Sequence, residues 1–84
     1  METVLIIDDD KGIRKQLKWS LADYQTVFAE DRETALAAVR RHEPQVVTLD
    51  LGLPPDAANA SEGLAALEEI LAIAPNTKVI VITG

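Results

Sequence analysis

The sequence lacks cysteine altogether, which excludes disulfides and thiolate metal sites. Aromatic side chains are also scarce, with one phenylalanine, one tryptophan and one tyrosine. No apolar run approaches the roughly 20 residues that a membrane-spanning helix needs. The first apolar stretch meets acidic residues too early for a signal peptide. These absences predict a cytoplasmic protein that does not contact a membrane.

Basic residues are outnumbered, with 8 Lys+Arg against 14 Asp+Glu and a net charge of −6. An acidic chain argues against direct nucleic-acid binding, which requires a basic surface. The 84 residues allow one small domain, and a hydrophobic fraction of 48% can supply its core.

Carboxylates directly follow two apolar runs. Residues 4–7 lead into Asp8, Asp9 and Asp10, and residues 46–49 lead into Asp50. Continuous apolar runs are typical of buried parallel strands, and open parallel sheets bind ligands outside the carboxyl ends of their strands. Clustered carboxylates repel one another, and a divalent cation offsets that repulsion. The pattern therefore predicts a Mg²⁺ site.

Strand and helix patterns alternate along the chain. Strands are predicted at 2–7, 25–29, 45–49 and 78–83, and helices at 11–21, 32–42 and 61–74. Asp10 and Asp31 are suited to cap the first two helices. This order predicts an α/β fold of βαβ units, with a parallel sheet and helices on both faces.

Apolar spacing also predicts which faces the helices bury. The expected inward residues are Ala35, Leu36 and Val39 in the second helix, and Leu64, Leu67, Ile70, Leu71 and Ala74 in the third. In the first helix, Lys11, Arg14, Lys15 and Lys18 form a basic face, which we interpret as solvated or as a guide for an acidic partner. Trp19 is expected to be packed or partly exposed rather than to form a binding platform, and His42 is expected to be solvated.

Three segments, at 4–10, 47–54 and 79–84, resemble the signature segments of bacterial response-regulator receiver domains, which are CheY-like. The resemblance covers essentially the whole chain in the right order. It implies a flavodoxin-like sheet, with the strand order 2-1-3-4-5 taken from the family.

The resemblance also implies roles for individual residues. Asp50 would be the phospho-acceptor, and Thr83 would hydrogen-bond a phosphoryl oxygen and sense phosphorylation. Mg²⁺ would be held by Asp8, Asp9 and Asp50 and by the backbone carbonyl of Gly52. The partner would be a sensor histidine kinase that donates the phosphoryl group, and the output would be a transcription-regulating domain.

The chain departs from the family pattern in two places. The segment after Pro54 is longer than usual; together with residues 15–20 it is similar to the receivers of sigma-54-type (NtrC-like) regulators of PEP-CTERM systems. The second departure is that residues 1–84 end where the family continues with a helix, a strand carrying an aromatic residue, a lysine and a further helix. We therefore expect a truncated receiver domain, β1-α1-β2-α2-β3-α3-β4, whose last strand is an exposed edge. We expect it to form a homodimer, either by pairing of that strand or by swapping of elements.

Two other readings compete with a phospho-accepting signalling module, which is not a turnover enzyme. A phosphotransferase with an aspartyl nucleophile needs a second acid two residues after Asp50, where Gly52 stands. A structural, dimerising fragment that is not phosphorylated remains the alternative.

Overall fold

The computed structural model describes residues 2–55 and 60–82. Its elements are β1 (Thr3–Ile7), α1 (Lys11–Ser20), β2 (Gln25–Ala29), α2 (Arg32–His42), β3 (Val46–Asp50), α3 (Ser61–Ile73) and β4 (Lys78–Ile82). Their order and type are as predicted, and their ends differ from the predicted ones by at most one residue. The predicted end of the last strand, Thr83, lies outside the described residues.

The four strands form one parallel sheet in the order β2-β1-β3-β4. This order is the one that the family resemblance implies for its first four strands. Two inner strands, β1 and β3, are neighbours and run in register, with Ile7 beside Leu49 at their carboxyl ends. The sheet therefore brings the residues that follow Ile7 and Leu49 to one edge.

The core lies between the sheet and the helices α2 and α3. Alternate residues of a strand point to the same face, and on this face the two inner strands contribute Leu5, Ile7, Val47 and Leu49. The two helices and the loop after β3 complete the core. They contribute Ala35, Leu36, Val39, Leu53, Ala66 and Ile70. The predicted inward face of α2 is thus confirmed.

The predicted inward face of α3 was wrong in part. Leu64 and Leu71 are 53% and 44% exposed, whereas the buried residues of α3 are Gly63, Ala66 and Ile70. Apolar residues occur all around this helix, so spacing alone did not identify the buried face. On the buried face, Gly63 allows the helix to approach the Leu51 backbone closely.

Carboxylates cap the first two helices as predicted. The Asp10 side chain accepts hydrogen bonds from the backbone N–H groups of Gly12 (2.8 Å) and Ile13 (3.2 Å). Asp31 and Thr34 form a capping box at α2. Hydrogen bonds from the Thr34 hydroxyl and backbone N–H lower the pKa of Asp31 below its ordinary value of 3.8.

An ion-pair network joins α2 to α3. The Arg32 guanidinium lies 3.1 Å from the Glu62 carboxylate and 2.7 Å from the Glu69 carboxylate. All three side chains are partly exposed, so the network contributes little free energy.

The other face of the sheet is covered unevenly: Val4 and Ile6 of β1 are buried, but its helix and the outer strand are largely exposed. None of the residues of α1 is buried, and Ile13 and Trp19 are 38% and 76% exposed. At the opposite edge, Ile80 and Val81 of β4 are 49% and 41% exposed, as expected for an edge strand. Within the described ranges, no helix has the length and apolar character to span a membrane.

Candidate functional site

The carboxyl ends of β1 and β3 place two carboxylates side by side. Because Ile7 pairs with Leu49, continuation of the same register sets Asp8 next to Asp50. Adjacent strands lie about 4.8 Å apart, so neighbouring side chains on one face are in contact range. Two residues separated by 42 positions in the sequence therefore meet at this edge of the sheet.

Asp9 joins this pair, and the three residues form an acidic cluster. One carboxylate oxygen each from Asp8, Asp9 and Asp50 lies within 4.8 Å of the others. Asp8 is buried, Asp9 is exposed and Asp50 is half-buried. The cluster thus opens to solvent on one side, and its all-oxygen donor set fits a hard divalent cation such as Mg²⁺.

Burial perturbs the Asp8 carboxylate. Asp8 is only 2% exposed, and this desolvation raises the pKa of its carboxyl group above the ordinary value of 3.8. The negative charges of Asp50, Asp9 and Asp10 raise the pKa further, although a hydrogen bond from the Asp10 backbone N–H opposes the shift. This hydrogen bond is 2.9 Å long and is accepted by the Oδ1 atom of Asp8. A bound cation would offset both the desolvation and the repulsion.

The Asp50 carboxylate is oriented by the loop that follows it. Its Oδ1 accepts a hydrogen bond of 3.0 Å from the Gly52 backbone N–H, and Gly52 is half-buried beside it. The structure thus brings Asp8, Asp9, Asp50 and Gly52 together. Thr83 lies outside the described residues. Asp10 is adjacent in sequence but caps α1, as predicted.

Gly63 is a residue whose importance the sequence did not reveal. A Cβ atom at this position would overlap the Cα and the carbonyl oxygen of Leu51, the residue after Asp50. The only sequence signal was a glycine in the first turn of a helix, where it lowers helix propensity. The close approach of α3 to the Leu51 backbone explains why a glycine stands there.

Comparison with known proteins identifies the family. The response regulator receiver domain model matches residues 4–84. The chain belongs to this family. It is therefore a receiver domain, which is a signalling domain of two-component systems. Its parallel sheet is that of the CheY-like flavodoxin fold.

Relatives of several kinds share this domain. The chain is 34% identical over 83 residues to the chemotaxis protein CheY of Listeria monocytogenes, covering 95% of the chain and 66% of CheY. It is 45% identical over 56 residues to the transcriptional regulatory protein KdpE of Mycobacterium tuberculosis, covering 64% of the chain and 25% of KdpE. It superimposes on NtrX from Brucella abortus with a TM-score of 0.86 at 34% identity, covering 100% of the chain and 19% of NtrX. The chain thus spans only part of the length of each.

Proposed function

We propose that the chain accepts a phosphoryl group on Asp50 from a phosphohistidine of a sensor histidine kinase. The observation that carries this proposal is the cluster of Asp8, Asp9 and Asp50 at the carboxyl edge of the sheet. In the reaction, an Asp50 carboxylate oxygen attacks the phosphorus atom, and the bond from phosphorus to the histidine nitrogen breaks. The products are an acyl phosphate on Asp50 and an imidazole, whose released nitrogen takes up a proton from solvent.

The residues around Asp50 supply the conditions for this transfer. Asp8, Asp9, Asp50 and the Gly52 carbonyl would hold Mg²⁺, which when bound neutralises charge on the phosphoryl oxygens. The Gly52 N–H holds one Asp50 oxygen, which leaves the second oxygen for the attack. Thr83 would hydrogen-bond the phosphoryl group and report its presence.

The site supports a switch better than a catalytic cycle. Among the described residues, no His, Cys, Asp or Glu beyond the three aspartates joins the cluster. The residue two positions after Asp50 is Gly52, so the second acid of an aspartyl phosphotransferase is not found there. Formation of an acyl phosphate that controls an output domain is the function that this arrangement favours.

The relatives support a place in transcriptional control. KdpE is a transcriptional regulatory protein by name, and NtrX supports the NtrC-like assignment made from the sequence. We propose that residues 1–84 form the first part of a longer cytoplasmic regulator, whose remaining receiver elements and output domain follow. The PEP-CTERM subfamily remains a prediction.

For residues 1–84 on their own, without the strand that follows in the family, the proposed assembly is a homodimer through β4. β4 is the last strand in the sheet order, and its outer edge has no strand partner among residues 2–55 and 60–82. An unpaired apolar edge strand pairs readily with another chain. A structural, dimerising role without phosphorylation is the alternative function, and it rests on the same exposed edge.

Phosphorylation separates these functions. The experiment is intact-mass measurement after incubation with acetyl phosphate, with and without Mg²⁺, on the wild type and on Asp50→Asn. We expect a single phosphoryl adduct that requires both Mg²⁺ and Asp50. A folded chain that acquires no adduct would show that the structural role applies.

A further inference from the structure

Positive charge is concentrated on one helix of this acidic protein. Lys11, Arg14, Lys15 and Lys18 supply four of the 8 basic residues of the chain, and no acidic residue lies within α1. The remaining four basic residues share the rest of the chain with all 14 acidic ones. Only Lys18 lies in the last turn of α1, where a positive charge stabilises a helix end. The helix dipole therefore does not account for the other three charges.

The same helix exposes the single tryptophan of the chain. Trp19 is 76% exposed, more than any other large apolar side chain among the described residues, and Tyr24 nearby is 42% exposed. Tryptophan and tyrosine contribute large apolar areas when buried, and they dominate the binding energy of many protein interfaces. An exposed tryptophan among lysines is therefore a feature of a binding surface.

These side chains line a groove. It has a volume of about 490 Å³ and is lined by Lys15, Lys18, Trp19, Leu21, Tyr24 and Thr26. The groove lies between the C-terminal half of α1 and β2, which is the first strand in the sheet order. Its lining combines aromatic and aliphatic surface with two ammonium groups. We call it the α1–β2 groove.

The α1–β2 groove is separate from the acidic cluster. Trp19 follows the helix cap Asp10 by nine positions, which places it about 13 Å further along the helix axis at 1.5 Å per residue. A ligand in the groove would thus leave the carboxyl edge of the sheet accessible. The groove and the phosphorylation site can act independently.

We propose that the α1–β2 groove binds an acidic, amphipathic segment of another protein. An aliphatic or aromatic side chain of that segment packs on Trp19 and Tyr24, and its carboxylates pair with Lys15 and Lys18. Charge complementarity selects this occupant, because the groove is basic on a chain whose net charge is −6. A nucleic acid would be repelled by the remaining surface. This proposal does not rest on phosphorylation of Asp50.

Trp19 is itself the reporter for the test, because it is the single tryptophan of the sequence and can be excited selectively. The probe is a blocked helical peptide of roughly 16 residues, with glutamate on one face and leucine on the other. We expect a blue shift of the emission on titration, because the indole leaves water. Two control peptides, one with glutamine for glutamate and one with serine for leucine, are expected to produce little or no shift.

Variants of equal net charge locate the site. Lys15→Glu/Lys18→Glu is expected to raise the dissociation constant about tenfold or more, since two favourable pairs become unfavourable. The matched control is Arg40→Glu/Arg41→Glu at the exposed end of α2, with an expected change of about twofold or less. Circular dichroism verifies that both variants remain folded. For Trp19→Ala, which lacks the fluorescent reporter, binding is followed by backbone amide chemical shifts. The peptide-induced shift changes that the wild type shows in β2 are expected to disappear in this variant.

Ionic strength provides a second measurement that needs no variant. Raising it from about 0.05 M to about 0.5 M is expected to weaken binding severalfold by screening exposed charges. Equal weakening by both charge reversals, or no blue shift at all, would overturn the proposal. So would tighter binding of oligothymidylate or of anionic vesicles than of the peptide. A blue shift that grows with protein concentration alone would identify a second copy as the occupant and would also overturn it.

Discussion

Gly63 in the first turn of α3 lies against the backbone of Leu51, so closely that a Cβ atom would overlap the Leu51 carbonyl oxygen. Leu51 connects Asp50 to Gly52, whose N–H holds the Asp50 carboxylate. A helix on one side of the protein thereby sets the backbone path beside the acidic cluster. Packing and site geometry are therefore coupled at this point.

Replacing Gly63 should harm both stability and phosphorylation. Gly63→Ala forces the overlap to relax by a backbone shift, and we expect a loss of about 1–3 kcal/mol in the free energy of unfolding. The shift also displaces Leu51 and slows acetyl phosphate uptake. Urea unfolding and intact mass measure the two effects. Gly12→Ala is the control, because Gly12 is exposed and its added Cβ would meet only the Asp10 side chain. Equal losses in the two variants would contradict this prediction.

Asp8 should oppose folding until a cation binds. Burial raises its folded-state pKa above 3.8, so its favourable contribution exists below that pH and is lost as the pH rises through the folded-state pKa. At neutral pH and without Mg²⁺, Asp8→Asn is therefore expected to raise the free energy of unfolding.

The same variant should lose the response to Mg²⁺. At a concentration about 100 times its dissociation constant, a cation that binds only the folded state stabilises it by about 2.7 kcal/mol. Urea unfolding with and without Mg²⁺ should show this gain in the wild type and in Asp10→Asn, whose asparagine still caps α1. An undiminished gain in Asp8→Asn would exclude Asp8 from the cation site.

Asp31 should make the free energy of unfolding decrease as the pH falls into the acid range. Its pKa is lowered by the Thr34 hydrogen bonds, so its contribution is present above 3.8 and is lost as the pH falls through the lowered folded-state value. Asp31→Ala should cost about 1 kcal/mol at neutral pH, and the difference from the wild type should shrink in acid. Asp31→Asn retains a capping oxygen and serves as the control. A difference that does not vary with pH would show that the carboxylate charge is unimportant.

In a protein of residues 1–84, the edge of β4 should determine the oligomeric state. Ile80→Lys places a charge on an exposed strand at the edge of the sheet, and we expect a monomer or an unfolded chain in place of the dimer. Sedimentation and circular dichroism distinguish these results. Leu71→Lys on α3 is the control at comparable exposure, and it should remain a dimer. A folded Ile80→Lys dimer of unchanged size would rule out the edge model.

Local signals were sufficient to predict the elements and caps of this protein. Asp10 and Asp31 cap helices because a short carboxylate reaches backbone N–H groups two or three residues away. The buried face of α2 followed from the spacing of three apolar residues. In α3, apolar residues on every side left the buried face undetermined, and the contact between Gly63 and Leu51 decided it.

The sequence by itself determined the α/β order, the carboxylates at the strand ends and the resemblance to receiver domains, because these depend on neighbours in the chain. The tertiary structure decided which carboxylates meet. The parallel register of β1 and β3 places Asp8 beside Asp50 across 42 positions, and burial at that edge raises the pKa of Asp8. The tertiary structure also decided that Trp19 lies exposed beside β2 in a basic groove. Distances and desolvation between distant segments arise only when the chain packs, and they set the chemistry of both surfaces.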